Sequence, residues 1–158
     1  MATNTQLSAN FFLSEFLTSQ SAVREGITEQ FTPPDEVIAN VKALCENVLQ
    51  PMRDIIGVPL HVNSGYRCPR LNEKIGGAKN SQHMTGHAAD IECPSLGNEE
   101  LLRRIASMNL PFDQMINEFN YAWVHISYDI ARTRGEILEA YKDENNSTRY
   151  RPIIIEAV

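Results

Sequence analysis

Two histidines and an aspartate carry the most distinctive chemistry in this chain. His83 and Asp90 fall within Ser81-Gln82-His83-Met84-Thr85-Gly86-His87-Ala88-Ala89-Asp90, and His125 sits in Trp123-Val124-His125-Ile126-Ser127-Tyr128. Imidazole nitrogen and carboxylate oxygen are ligands that zinc takes in a tetrahedron, and a catalytic site keeps three of them and one open position. Small residues at Gly86, Ala88 and Ala89 would let the backbone pass close to an ion, with His83 entering from a loop and Asp90 from a strand. A histidine on a strand is more often a hydrogen-bonded structural residue than a ligand. Two histidines and an aspartate across a wide gap are weak by spacing alone, so the spacing leaves the metal and the structural readings both open.

The elements that must position these residues can be read from periodicity. Thr32-Pro33-Pro34-Asp35-Glu36 has the marks of a helix start with Thr32 as cap, and Val37, Ile38, Val41, Leu44, Cys45, Val48, Leu49 and Met52 then recur at helical steps until Gly57. Pro51 is expected to kink that helix. Leu13 to Leu17 opens a short helix with Ser14 as the expected cap. From Val58 the period is two, giving a strand that runs into Ser64-Gly65-Tyr66-Arg67 and then a loop from Cys68 to Ser81. A second strand is expected from Ala88 to Cys93, with Asp90 on one face and Ala89, Ile91 and Cys93 on the core face. Asn98 to Met108 reads as a short helix, and Phe112–Phe119 with Ala122–Tyr128 as a hairpin. The stretch from 142 to 158 is a polar tail, expected to lie loosely on the surface.

Composition narrows the function. The chain of 158 residues is about one domain's worth, so residues 1–158 are expected to form one domain. A net charge of -6 argues against nucleic acid as a partner, since phosphate backbones are bound by cationic surfaces. No window reaches the length of a membrane span, and Met1 to Ala9 lacks the features of a secretory leader, so neither membrane insertion nor export is expected and the chain reads as cytoplasmic as synthesised. Cys45, Cys68 and Cys93 form no Cys-x-x-Cys pair, which points to neither a disulfide framework nor a zinc knuckle.

Several blocks together resemble a known family. Ser64-Gly65-Tyr66-Arg67, Leu71-Asn72 with Gly76-Gly77-Ala78, Ser81-Gln82-His83, the pattern His83-x-x-Gly86-x-Ala88-x-Asp90, and Trp123-Val124-His125-Ile126-Ser127 resemble, in order over about residues 10–130, the zinc D-alanyl-D-alanine carboxypeptidases and L-alanyl-D-glutamate endopeptidases. These share a metal-site fold with vancomycin-resistance dipeptidases and the hedgehog signalling domain. The resemblance implies an α+β fold, in which a small antiparallel sheet carrying the site packs against helices. It also implies one Zn2+ per chain on His83, Asp90 and His125, and the stem peptide of peptidoglycan as substrate. Arg67 would hold a substrate carboxylate or polarise the scissile carbonyl, which suits a permanently charged fork; the alternative is a surface salt bridge.

Some relatives carry an acidic residue three positions before the last histidine ligand, and here that position is Ala122. Glu118 is the best substitute as general base: a hairpin loop of two or four residues pairs 118 with 123 and turns Glu118 to the face of His125, whereas a loop of three turns it away. Asp113 falls on the opposite face and is the lesser candidate. His87 is a candidate hydrogen-bond donor to the reaction centre or equally a solvent-facing loop residue. Ser81 and Trp123 join Arg67 as candidates for contacting substrate, though Ser81 could instead hold a ligand or the loop and Trp123 could pack under another element. Small size and the absence of a leader or a wall-binding module suggest a phage-type lysin released by a holin or carried in a virion, although a chromosomal cytoplasmic dipeptidase acting on recycled wall fragments would look the same, and a binding module without activity is the competing reading.

Overall fold

The computed structural model describes residues 4–155. A short pair of strands, β1 (Gln6–Ser8) and β2 (Phe11–Phe12), leads into α1 (Leu13–Leu17) and α2 (Gln20–Glu25). Ser14 does not cap α1. The cap lies two residues earlier, at Phe12, whose N–H is accepted by the Glu15 carboxylate at 2.7 Å, while Ser14 Oγ accepts from Asn4. Thr32 likewise gives way to Pro34, whose carbonyl accepts from Val37 and Ile38 at the start of α3 (Asp35–Leu44).

The long apolar stripe continues from α3 through a π-helical turn, Cys45–Leu49, into α4 (Gln50–Ile56), which ends at Gly57 in a left-handed conformation. The expected disturbance at Pro51 is found one turn upstream of it. A proline offers no N–H to the carbonyl four residues back and its ring crowds that carbonyl. Widening the preceding turn, so that Gln50 N–H reaches Cys45 O, lets the helix run on.

β3 (His61–Ser64) is followed by α5 (Pro69–Lys74), a helix inside the stretch expected to be loop. Pro69 stands in its first turn, where no N–H is needed, and its buried side is only Leu71 and Asn72, too little for a visible period. The chain continues through β4 (Ala88–Glu92), α6 (Asn98–Ser107), β5 (Gln114–Glu118), β6 (Trp123–Ser127), β7 (Glu136–Lys142) and β8 (Thr148–Pro152). These strands form one six-stranded sheet in the order β3-β4-β6-β5-β7-β8.

The class is α+β, as expected, but the sheet is larger than the small antiparallel one anticipated, and its β5–β7 pair is parallel. After β6 the chain turns at residues 128–135 past the start of β5, where Gly135 N–H reaches Phe112 O and Glu136 N–H reaches Asp113 O. The stretch expected to be a loose tail supplies β8. All five of its residues are exposed, so no apolar alternation marks it, yet the backbone ladder to β7 forms regardless of side chain. Arg149 pairs with Asp143, and the Arg151 guanidinium lies 4.3 Å from the Tyr141 ring centroid.

One face of the sheet is the core. Ala89, Ile91, Met115, Val124 and Ile126 are fully buried there, in a cluster shared with Val41, Leu44, Met52, Leu101, Leu102 and Ile105 of the helices. Each such side chain withdrawn from water contributes on the order of 1.5–3 kcal/mol for the larger aliphatics. The opposite face is left to carry the site. Among the described residues no helix is long and apolar enough to cross a membrane.

Candidate metal centre

Strand register assembles most of the site. Asp90 stands opposite His125 across β4 and β6, His125 opposite Ile116 across β6 and β5, and Ile116 beside Leu138 of β7. Partners on one rung project to the same side of a sheet. All four therefore point away from the helices into a cleft of about 420 Å³. Period two along β5 adds Glu118, which pairs with Trp123 across a hairpin loop of four residues, 119–122. His83 arrives from a 3-10 turn, Gln82–Thr85, capped by Ser81, whose hydroxyl accepts from His83 N–H at 3.3 Å. Gly86 closes that turn at φ +78, where an added Cβ would lie 2.7 Å from Val37 O, so only glycine fits.

The three candidate ligands converge. One ligand atom from each of His83, Asp90 and His125 lies within 4.8 Å of the others. His83 Nδ1 is 2.7 Å from Gly65 O, and a carbonyl only accepts, so Nδ1 carries the proton and Nε2 presents its lone pair, 3.3 Å from Asp90 Oδ1. His125 Nδ1 is 3.2 Å from the same oxygen, and the two rings meet edge-on at 5.1 Å between centroids. Burial lowers the His83 pKa and only partly yields to the Asp90 charge, which favours the neutral, ligating imidazole. Burial alone would raise Asp90, but the two imidazoles beside it outweigh that and hold the carboxyl below its usual range. Two nitrogens and an ionised carboxylate directed at one point, with the second nitrogen of His83 tied to a backbone acceptor, form a donor set that fits zinc.

Around this centre the cleft is lined by Arg67, Ser81, Glu118 and Trp123. Arg67 is half-buried, and among the described residues its buried Nε finds no acceptor. Desolvation lowers its pKa, countered by the charges of Asp90 and Glu118. The segment that carries Arg67 is braced from below by the fully buried Gln30, which donates to Tyr66 O at 2.7 Å and accepts from Cys68 N–H at 2.9 Å. Glu118 is 9% exposed, and burial raises its pKa to about 7 against the opposing charges of His125 and Arg67. A carboxyl poised there is suited to proton transfer near neutrality.

Two sequence candidates stand elsewhere. His87 does not line the cleft: its Nδ1 is 2.6 Å from Thr85 Oγ1 and its carbonyl accepts from Tyr128 N–H, because Ala88 to Asp90 turn it off the site-bearing face. Asp113 is fully buried under a bidentate ion pair with Arg134, which commits its oxygens. In turn, the structure brings in residues that spacing did not single out. Gln82 reaches His125, while Leu138 and Tyr150 come to the cleft from β7 and β8. The only advance signal for Gln82 was its place next to a candidate ligand, and for Tyr150 there was none.

Residues 9–127 match the peptidase M15 family. Over 50 residues the chain is 50% identical to the zinc D-Ala-D-Ala carboxypeptidase of Streptomyces albus G, a stretch that makes up 31% of this chain and 20% of that protein. The chain thus matches about a fifth of that relative's length.

Proposed function

Because the chain belongs to the peptidase M15 family, we propose that it is a zinc-dependent peptidase that hydrolyses the stem peptides of peptidoglycan. The observation that carries this reading is the convergence of His83, Asp90 and His125 on one point, inside a cleft that also holds an ionisable Glu118 and the Arg67 guanidinium.

Zinc bound there would supply Lewis-acid activation of water and of the scissile carbonyl. The remaining work falls to this chain's own side chains. Glu118, ionised, takes the proton of the attacking water and returns it to the leaving amine. Arg67 pairs with a carboxylate of the peptide through the part of its guanidinium that lines the cleft. Ser81 holds the turn that delivers His83, and Trp123, Ile116 and Leu138 give the peptide an apolar wall. The presence of Glu118 beside the candidate ligands supports an enzyme over a binding module of the same fold.

Two bonds suit this arrangement, the D-Ala-D-Ala bond at the end of the stem and the L-Ala-D-Glu bond within it. The name of the Streptomyces relative and the cleft position of Arg67 both support the terminal bond. Zinc-loaded protein should be incubated with peptidoglycan and with synthetic stem peptides, and the new termini identified by mass spectrometry beside a His125→Ala control. Release of D-alanine by the wild type alone is the expected result. A new amino terminus at D-glutamate would instead make it an endopeptidase, and no release from several wall chemistries would overturn the reading.

A further inference from the structure

Behind the candidate metal centre lies a chain of contacts that the proposed reaction does not use. Asp113, at the start of β5, has no exposed surface, and its carboxylate is gripped by Arg134, Nε to Oδ1 at 2.7 Å and Nη2 to Oδ2 at 3.0 Å, with Arg132 Nε 3.4 Å away. Burial would raise its pKa, but the hydrogen bonds from Arg134 and Gln82 hold it below the usual carboxylate range. It is therefore a fixed anion and only accepts. The amide nitrogen of Gln82 donates to Asp113 Oδ2 at 3.0 Å.

That single bond decides which way the Gln82 amide faces. Reversed, it would set its carbonyl oxygen against a buried carboxylate, two acceptors in contact. With the amide held this way, its oxygen faces His125 Nε2 at 3.4 Å. An oxygen can only accept, and on the other side of the ring His125 Nδ1 lies 3.2 Å from Asp90 Oδ1, which also only accepts; the ring proton belongs on Nε2, against Gln82, once a cation takes Nδ1 and Asp90.

We propose that Gln82, oriented by Asp113 and Arg134, is a positioning residue that accepts the Nε2 proton of His125 and so holds the ring in the orientation and tautomer whose Nδ1 takes the metal. His83 has a simpler device for the same end, since its proton is fixed by the Gly65 carbonyl. For His125 no backbone acceptor is found among the described residues, and a side-chain amide held by a buried ion pair takes that place. Coordination at Nδ1 makes the Nε2 proton more acidic, so the long contact to Gln82 tightens when a cation is bound. Hydrogen-bond partners of this kind affect metal affinity by about 10- to 100-fold.

The inference rests on the reading of His83, Asp90 and His125 as metal ligands, and the test separates the two. Zinc is titrated into metal-free wild type and Gln82→Leu in competition with a chelator, and the His125 ring nitrogens of the zinc-loaded proteins are observed by long-range proton–nitrogen NMR at about pH 8, above the ordinary imidazole pKa. Wild type should bind one zinc per chain, with His125 coordinated through Nδ1 and its Nε2 proton protected from solvent exchange. Gln82→Leu, which also loses the hydrogen bond to Asp113 and with it some metal-free stability, should bind zinc about 10- to 100-fold more weakly and lose the protection of that proton. Wild-type affinity and proton protection in Gln82→Leu would overturn the role of Gln82 alone, while failure of the wild type to bind zinc would remove the metal reading itself. The zinc-loaded wild-type spectrum also stands without any variant: coordination of His125 through Nε2 refutes the proposal.

Discussion

Glu118 and Trp123 face each other across the β5–β6 hairpin, and this one pairing puts a carboxyl on the face that carries His125. A loop of three residues in place of four would have turned Glu118 into the core. The proposed base therefore depends on hairpin length, with no acidic residue needed at Ala122. Glu118→Gln keeps the shape of the side chain and removes its capacity to take a proton. Turnover of a stem peptide should fall by about 10²- to 10⁴-fold, while zinc content, measured on the same sample by atomic absorption, stays at the wild-type level. Turnover near wild type would take Glu118 out of the reaction.

The pH dependence follows from the same carboxyl. Its ionised form is the base, so activity limited by Glu118 rises with pH. In the metal-free protein the midpoint is about 7, because burial disfavours the charge. A divalent cation nearby favours the charge and moves the midpoint down. The stability effect has the opposite sense: a folded-state pKa above the unfolded value contributes stability below the ordinary glutamate range, and that contribution is lost as pH rises through about 7. Carboxyl carbon shifts of Glu118 recorded against pH should give a metal-free midpoint near 7 and a lower one after zinc is added. A metal-free midpoint in the ordinary glutamate range would contradict the burial argument.

That Asp90 and His125 stand on one strand face, with Glu118 joining them if the hairpin loop has two or four residues, was readable because strand alternation has a fixed period and antiparallel register follows from it, whereas His83 lies on a turn and was pointed to by the resemblance. Where the burial signal is thin, the sequence was silent. β8 is exposed along its whole length, so its place as an edge strand, and with it Tyr150 at the cleft, has no apolar pattern to announce it. α5 buries only Leu71 and Asn72, and the π-helical turn before Pro51 keeps the apolar stripe unbroken. Gln82 derives its orientation from Asp113, 31 positions away in sequence, a relation that no local spacing encodes.

Gly65 ties core packing to the site. A Cβ on it would lie 2.6 Å from Phe16 Cβ and 2.7 Å from Phe16 Cα, and Phe16 is fully buried. Gly65→Ala should therefore destabilise the protein by about 1–3 kcal/mol, the usual cost of overpacking. The same displacement moves the carbonyl that fixes the His83 proton, so zinc affinity should drop as well. Chemical denaturation and zinc titration on one preparation separate the two effects. Lower stability with unchanged zinc affinity would show that the Gly65 carbonyl is dispensable for His83.

Tyr150 tests whether the C-terminal hairpin takes part in recognition. It stands beside Ala140 of β7, which in turn neighbours Glu118 of β5, so the ring reaches the cleft from two strands away, and it lies outside the residues matched to the family. Over half its surface is exposed on an edge strand, so Tyr150→Ala should change stability by less than about 0.5 kcal/mol. An aromatic wall contributes on the order of 0.5–1.5 kcal/mol to a packed partner, which predicts a rise in KM of about two- to tenfold with kcat nearly unchanged. Separate kcat and KM values on stem peptides of different length give the answer. A KM effect confined to the longer peptides would place their distal residues against β8, a fall in kcat would put Tyr150 in the chemistry, and no change in either would mean that the substrate never reaches this strand.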